Sequence, residues 1–193
     1  MRGGTRRGIV AAAVVALGGC TADSYRRAEA VFDLGPQTVA ATVPVPVAGV
    51  DVVAPLWLAG SAMQYRLLYA DPARRFDYAE SRWIAPPDEL VKRSFELAVG
   101  ANGSGACRLR VDLSEFAQVF DSPTDSRFVL EGQATLVVAR EGIARHAFSV
   151  SLEAPSADAR GGVAAATNVV RRAARDLAVW LGGMGDRCRG GSA

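Results

Sequence analysis

The sequence predicts an α+β fold: a mostly antiparallel sheet of about five to six strands with two helices packed on one face. Three observations predict it. From Cys107 to Leu152 the apolar residues alternate with polar ones in three successive runs, the period-2 signature of half-buried strands. Two other segments, after Pro86 and after Ala157, carry apolar residues at helical spacing instead. Half of the 193 residues are hydrophobic and 22% are charged, enough to build one core but not two.

The elements follow in order. Ala30-Val31-Phe32-Asp33-Leu34 reads as a strand stopped by Gly35-Pro36. Val43 to Val47 is extended but cannot be central, because Pro44 and Pro46 lack donors. Gly49 to Ala54, rich in β-branched residues, is a second strand ended by Pro55. Met63 to Tyr69 is a third, and Phe76 to Arg82 a short fourth. Pro86-Pro87-Asp88-Glu89 opens a helix, with proline in the first turn and acids at the positive end of the dipole. Gly100 is its natural stop.

Cys107, Leu109, Val111 and Leu113 then share one face of a strand, and the alternation breaks near Ser114, which predicts a bulge. Phe128, Leu130, Ala134, Leu136 and Val138 line the next strand. The turn at Arg140-Glu141-Gly142 is expected to use Gly142 for a positive φ. His146, Phe148, Val150 and Leu152 complete a meander. The last helix runs from Ala157 to about Leu181, with Val163, Ala166, Val170, Ala173, Leu177 and Trp180 toward the sheet.

The N-terminus is not part of this fold. Arg2, Arg6 and Arg7 precede an apolar run, Ile9 to Leu17, too short to span a bilayer and of the length of a signal h-region. Leu17-Gly18-Gly19-Cys20 follows in register and resembles a bacterial lipobox, whose cysteine is lipidated before cleavage. The organisation is therefore residues 1–19 as signal peptide, 20–28 as lipidated tether, 29–183 as one domain and 184–193 as a flexible tail. Loss of the leader leaves 19 basic against 20 acidic residues, a net charge near −1. The basic balance of the whole chain thus belongs to the leader, and nucleic acid is not an expected partner. In Gram-negative lipoproteins Asp after the lipidated cysteine marks inner-membrane retention; Thr21 stands there, so an outer-membrane location facing the periplasm is expected.

Catalytic chemistry has little to work with. His146 is the only histidine and shares parity with Phe148 and Val150, which suits a hydrogen-bonded, partly buried ring. Asp88-Glu89 read as helix-start acids, and Ser81 and Ser94 lie in no nucleophile elbow. Asn102-Gly103-Ser104-Gly105 follows a helix and precedes a strand, the wrong order for a dinucleotide loop. No catalytic residue, metal site or cofactor is assigned. Cys107 and Cys188 are either a disulfide that pins the tail to the sheet, favoured in an oxidising compartment, or two free thiols.

One segment stands out in composition. Six of the 14 aromatic residues fall between Trp57 and Trp83, interleaved with Arg66, Arg74, Arg75 and Arg82. Aromatic and arginine enrichment marks interface hot spots. Trp57, Arg66, Tyr78, Arg82 and Trp83 are therefore candidate contacts for a partner or a second copy of the chain. Against this, strand parity puts some of these aromatics in the core.

Val50-Asp51-Val52-Val53-Ala54-Pro55, Tyr65-Arg66, Tyr78-Ala79-Glu80-Ser81-Arg82-Trp83 and Leu113 to Pro123 resemble the ABC-type transport auxiliary lipoprotein family, of the paraquat-inducible protein C type. The resemblance implies a non-catalytic outer-membrane lipoprotein that works with an MCE-domain protein and an ABC permease and ATPase in intermembrane lipid transport. It brings no catalytic residues; only the lipidated Cys20 maps onto it. A periplasmic carrier of hydrophobic ligands, or a structural or assembly lipoprotein of the outer membrane, are the competing readings.

Overall fold

The computed structural model describes residues 28–36, 47–101, 103 and 105–188. The leader, Cys20, the tether up to residue 27, the Val43–Pro46 stretch and residues 189–193 lie outside them. Seven strands form one sheet: β1 (Ala30–Phe32), β2 (Val47–Val53), β3 (Ala62–Leu67), β4 (Asp71–Trp83), β5 (Cys107–Phe120), β6 (Ser126–Val138) and β7 (Glu141–Glu153). Two long helices, α1 (Pro87–Val99) and α2 (Ala159–Gly182), and a short one, α3 (Gly185–Cys188), complete the domain.

The sheet is mixed, not purely antiparallel. Along the order β1-β4-β3-β5-β6-β7, β1 runs parallel to β4 and β3 parallel to β5. β2 also lies parallel to β5. The expected antiparallel meander holds for β5, β6 and β7, whereas the parallel pairings join strands separated along the chain by other elements, for which alternation carries no signal. β5 is the axis. One edge pairs with β6 along its length, and the other is shared between β2, from Cys107 to Asp112, and β3, from Gln118 to Phe120. Between those two stretches the register shifts at Leu113/Glu115, so the predicted bulge sits where β5 changes partner.

Both long helices cover the same face. α1 packs on β2 and on α2, and α2 packs on β6 and β7. The covered face of the sheet supplies Leu109, Val111, Phe116, Phe128, Leu130, Ala134 and Leu136, all fully buried. α2 meets it with Ala165, Ala166, Val169, Val170, Ala173, Ala174, Leu177 and Leu181. Small residues dominate this stripe, so the helix can lie close to the strands. The Pro86-Pro87 start and the left-handed Gly100 stop bound α1 as local chemistry requires. Asp158 caps α2 by accepting a hydrogen bond from the Gly161 amide at 2.7 Å.

The β6–β7 turn departs from expectation. Positive φ falls on Ala139 (47°) and Arg140 (74°), and Gly142 lies inside β7 opposite Val137. Positive φ at both central residues is the type I′ form of a two-residue hairpin loop, and the pairing of Val138 with Glu141 fixes which two they are.

At the other end, Cys107, the first residue of β5, and Cys188, the last of α3, form a disulfide with Cα atoms 5.2 Å apart. Residues 184–188, placed in a flexible tail by composition, thus contain a helical turn bonded to the sheet, and Cys188 is fully buried.

Candidate functional site

The segment from Trp57 to Trp83 folds as a 3-10 turn (Leu56–Leu58), β3 and β4, and strand alternation sorts its side chains into three environments. Trp83 is core: it is 1% exposed and packs against Phe116 and Phe128 at 5.5 and 6.3 Å between ring centroids. Its assignment to a contact surface is therefore corrected. Pairing with Phe32 in the β1–β4 register puts it on the helix-covered face, where the largest ring finds the most apolar surface to bury.

Tyr65 and Tyr78 lie toward the same side, beyond the N-terminal end of α2. Tyr65 contacts Phe76, Tyr78 and Phe120 at 5.2, 4.7 and 5.8 Å. The Tyr78 hydroxyl donates to Gln118 Oε1 at 2.9 Å, and Gln118 Nε2 donates to Ser126 Oγ at 2.8 Å. Burial, followed by the nearby Tyr65 and Asp158, pushes the Tyr78 phenol well above its ordinary range. Tyr78 thus holds a buried amide in place and is not an open contact. Gly162 makes room for the group, since a Cβ there would fall on Gln118 Oε1.

Arg66, Arg75 and Arg82 take the opposite, open face, whereas Arg74 lies over the Phe76 ring at 4.4 Å. Arg75 grips Glu115 through two parallel bonds of 2.8 and 2.7 Å, and Arg66 Nε joins the same carboxylate at 3.2 Å. Both guanidiniums are about four-fifths buried, and Glu115 is more so. Arg75 also donates to Gln64 Oε1 at 3.0 Å, and Gln64 Nε2 donates to the Trp57 carbonyl at 2.9 Å. This relay runs from β5 across β3 to the 3-10 turn, so Arg66 and Arg75 set the backbone that carries Trp57. Arg82 Nε pairs with Glu29 Oε2 at 2.9 Å, joining β4 to the residue just before β1.

Of the five candidate contact residues, only Trp57 presents a large apolar surface. It is 57% exposed, and its neighbour Leu56 is 93% exposed. Sequence reasoning missed their companions. Ile84 is 61% exposed and Val31 46%, on adjacent strands: Val31 pairs with Arg82, Arg82 with Ala62, and the Ile84 amide donates to the Phe32 carbonyl at 2.8 Å. The signal for them lies in topology, because nothing in the sequence says that β1 lies beside β4.

Elsewhere several polar side chains are engaged within the domain. The half-buried His146 ring stacks on Trp180 at 5.2 Å, and Arg172 pairs with Asp176 beside it. Hydrogen bonds from Arg108 hold the Asp51 carboxyl below its usual range, and those from Ser122 and Thr124 do the same for Asp125. Among the described residues no three His, Cys, Asp or Glu side chains converge as a metal ion would need, and no helix is long and apolar enough to cross a membrane.

No family model matches the chain, and no curated protein does. Solved structures do match. A Xanthomonas campestris protein described as DUF330 aligns with a TM-score of 0.68 at 17% identity, covering 81% of this chain and 97% of its own. A second, uncharacterised protein aligns at 0.63 and 15% identity, covering 80% and 99%. A candidate lipoprotein from Caulobacter crescentus matches 50% of this chain and 83% of its own at 21% identity, but its TM-score of 0.37 marks a local likeness only. The domain therefore shares the fold of the DUF330 structure over nearly all of that protein's length.

Proposed function

We propose that the chain is a non-catalytic, lipid-anchored periplasmic protein of the outer membrane that serves as the auxiliary component of an ABC/MCE-type lipid transport system. The observation that carries this reading is the Leu17-Gly18-Gly19-Cys20 sequence behind a basic, apolar leader, separated from the first strand by a tether of only nine residues. Three further points support it. The Cys107–Cys188 bond suits an oxidising compartment. The polar side chains with the shape of catalytic groups are turned to structure: Tyr78 serves Gln118, Glu115 serves two arginines, and His146 lies on Trp180. The resemblance of Tyr65-Arg66 and the Tyr78–Trp83 stretch to auxiliary lipoproteins names the system.

The test is a cross-linked pull-down of the native chain from membranes. Co-recovery of an MCE-domain protein together with an ABC permease or ATPase is expected, as is loss of that recovery in Cys20→Ala. Recovery of other envelope proteins without these would reject the transport assignment.

A further inference from the structure

We propose that the apolar corner formed by Leu56, Trp57, Ile84 and Val31 is a membrane-docking surface, which dips into the interfacial layer of the bilayer that holds the anchor. The proposal rests on the lipidation of Cys20 put forward above and goes beyond it, because an acyl anchor alone fixes only a tether and not the orientation of the domain.

The first argument is where the tether ends. Thr21 to Ala28 can reach at most about 30 Å at 3.3–3.6 Å per residue. It enters the domain at β1, on the edge of the sheet, and Glu29 is tied to Arg82 at 2.9 Å. The first strand residue after that tie is Ala30, and the next is the exposed Val31. The anchor thus delivers the domain to the membrane by the very strand that carries part of the corner.

The second argument is the chemistry of the corner. Leu56 and Trp57 project from a one-turn loop whose backbone is fixed from behind by the Gln64–Arg75–Glu115 relay. Leu56 is 93% exposed beside a 57% exposed tryptophan, so both present apolar surface to solvent at this turn. Tryptophan favours the water–hydrocarbon boundary, where its ring is apolar and its N–H stays hydrated. Ile84 and Val31 widen the surface across β4 and β1. Of the charges beside Val31 and Ile84, Arg82 is paired with Glu29, while Asp33 and Arg171 line the groove that these two apolar side chains share with α2.

The experiment uses the full chain purified from membranes, checked for acylation by intact mass and reconstituted into phosphatidylethanolamine/phosphatidylglycerol vesicles. Half of the vesicles carry lipids brominated on the acyl chain, which quench tryptophan at contact. Trp180→Phe removes one background ring, and Trp83 is buried. Trp57 fluorescence is expected to shift to the blue and to fall by about half in brominated vesicles. Leu56→Ser with Ile84→Ser should cut that quenching several-fold while circular dichroism and melting stay unchanged. An acylated chain whose Trp57 is not quenched overturns the docking surface and leaves the anchor standing. A blue shift without quenching, accompanied by a doubled mass, assigns the corner to a second copy and also overturns it. A chain without acyl groups overturns both readings.

Discussion

The two faces of the sheet are held in different ways. On the covered face, Leu109, Val111, Leu130 and Leu136 meet the alanine-rich stripe of α2 with no solvent between them. On the open face the side chains form polar pairs: Arg108 with Asp51, Arg110 with Asp112, Ser149 with Glu131, and Arg66 and Arg75 on Glu115. The covered face defines the fold by excluding volume and water, so it tolerates little change. The open face adds register and local shape, and most of it can change without unfolding the domain. Glu115 is the exception, since it is buried beneath two cations.

The contrast can be broken most severely at the covered face. Gly162→Val would place carbon where Gln118 Oε1 stands and break the Tyr78–Gln118–Ser126 chain. The expected loss is about 4 kcal/mol, combining overpacking with buried polar groups left unpaired, read as the shift in urea midpoint. A loss under about 1 kcal/mol would mean that α2 is free to move away from the sheet.

At the open face, Glu115→Gln should cost about 2 kcal/mol, because Arg66 and Arg75 stay largely buried beside a neutral amide. The same variant should loosen the 3-10 turn, seen as faster amide exchange at Leu58 and Ala59, whose N–H groups bond within that turn.

Asp158 sharpens the comparison through pH. Its carboxyl is held below the usual range, chiefly by the Gly161 amide and then by Ser156. A carboxylate whose pKa is lowered by folding stabilises the protein above its unfolded value, and that stability is lost as pH falls through the folded one. Asp158→Asn should keep the cap near neutrality but remove this part of the acid sensitivity. Asp158→Ala should cost about 1 kcal/mol at neutral pH. Both are read from urea titrations at stepped pH.

The smallest effect belongs to Asp112→Asn. Its partner Arg110 is half exposed on the same strand, and such pairs rarely register in stability. No measurable midpoint shift is expected, and a clear one would show that the open-face ladder bears more of the fold than its exposure suggests.

What was legible in the sequence follows the same division. The covered face announces itself by alternation, so β5, β6, β7 and both helices were readable to within a few residues, and so was the break at Ser114. Strand partners were not readable. A period-2 pattern says which face a residue takes but not which strand lies beside it, and three parallel pairings were missed. The same limit hid the apolar corner, because Val31 and Ile84 meet only through the β1–β4 pairing. Arg66 looked like an interface residue because composition cannot tell an arginine that awaits a partner from one already bonded to Glu115, 49 residues away. The left-handed pair Ala139 and Arg140 escaped because neither residue type advertises that conformation.

We propose a domain anchored through a lipidated Cys20 and closed by the Cys107–Cys188 disulfide. Non-reduced peptide mass mapping of the native chain extracted from membranes tests both together. The account predicts a mature N-terminus at Cys20 carrying the mass of a diacylglycerol and an added acyl chain, with the Cys107 and Cys188 peptides joined until reductant is added. A chain that begins elsewhere, an unmodified Cys20, or separate peptides with free thiols at positions 107 and 188 would contradict it.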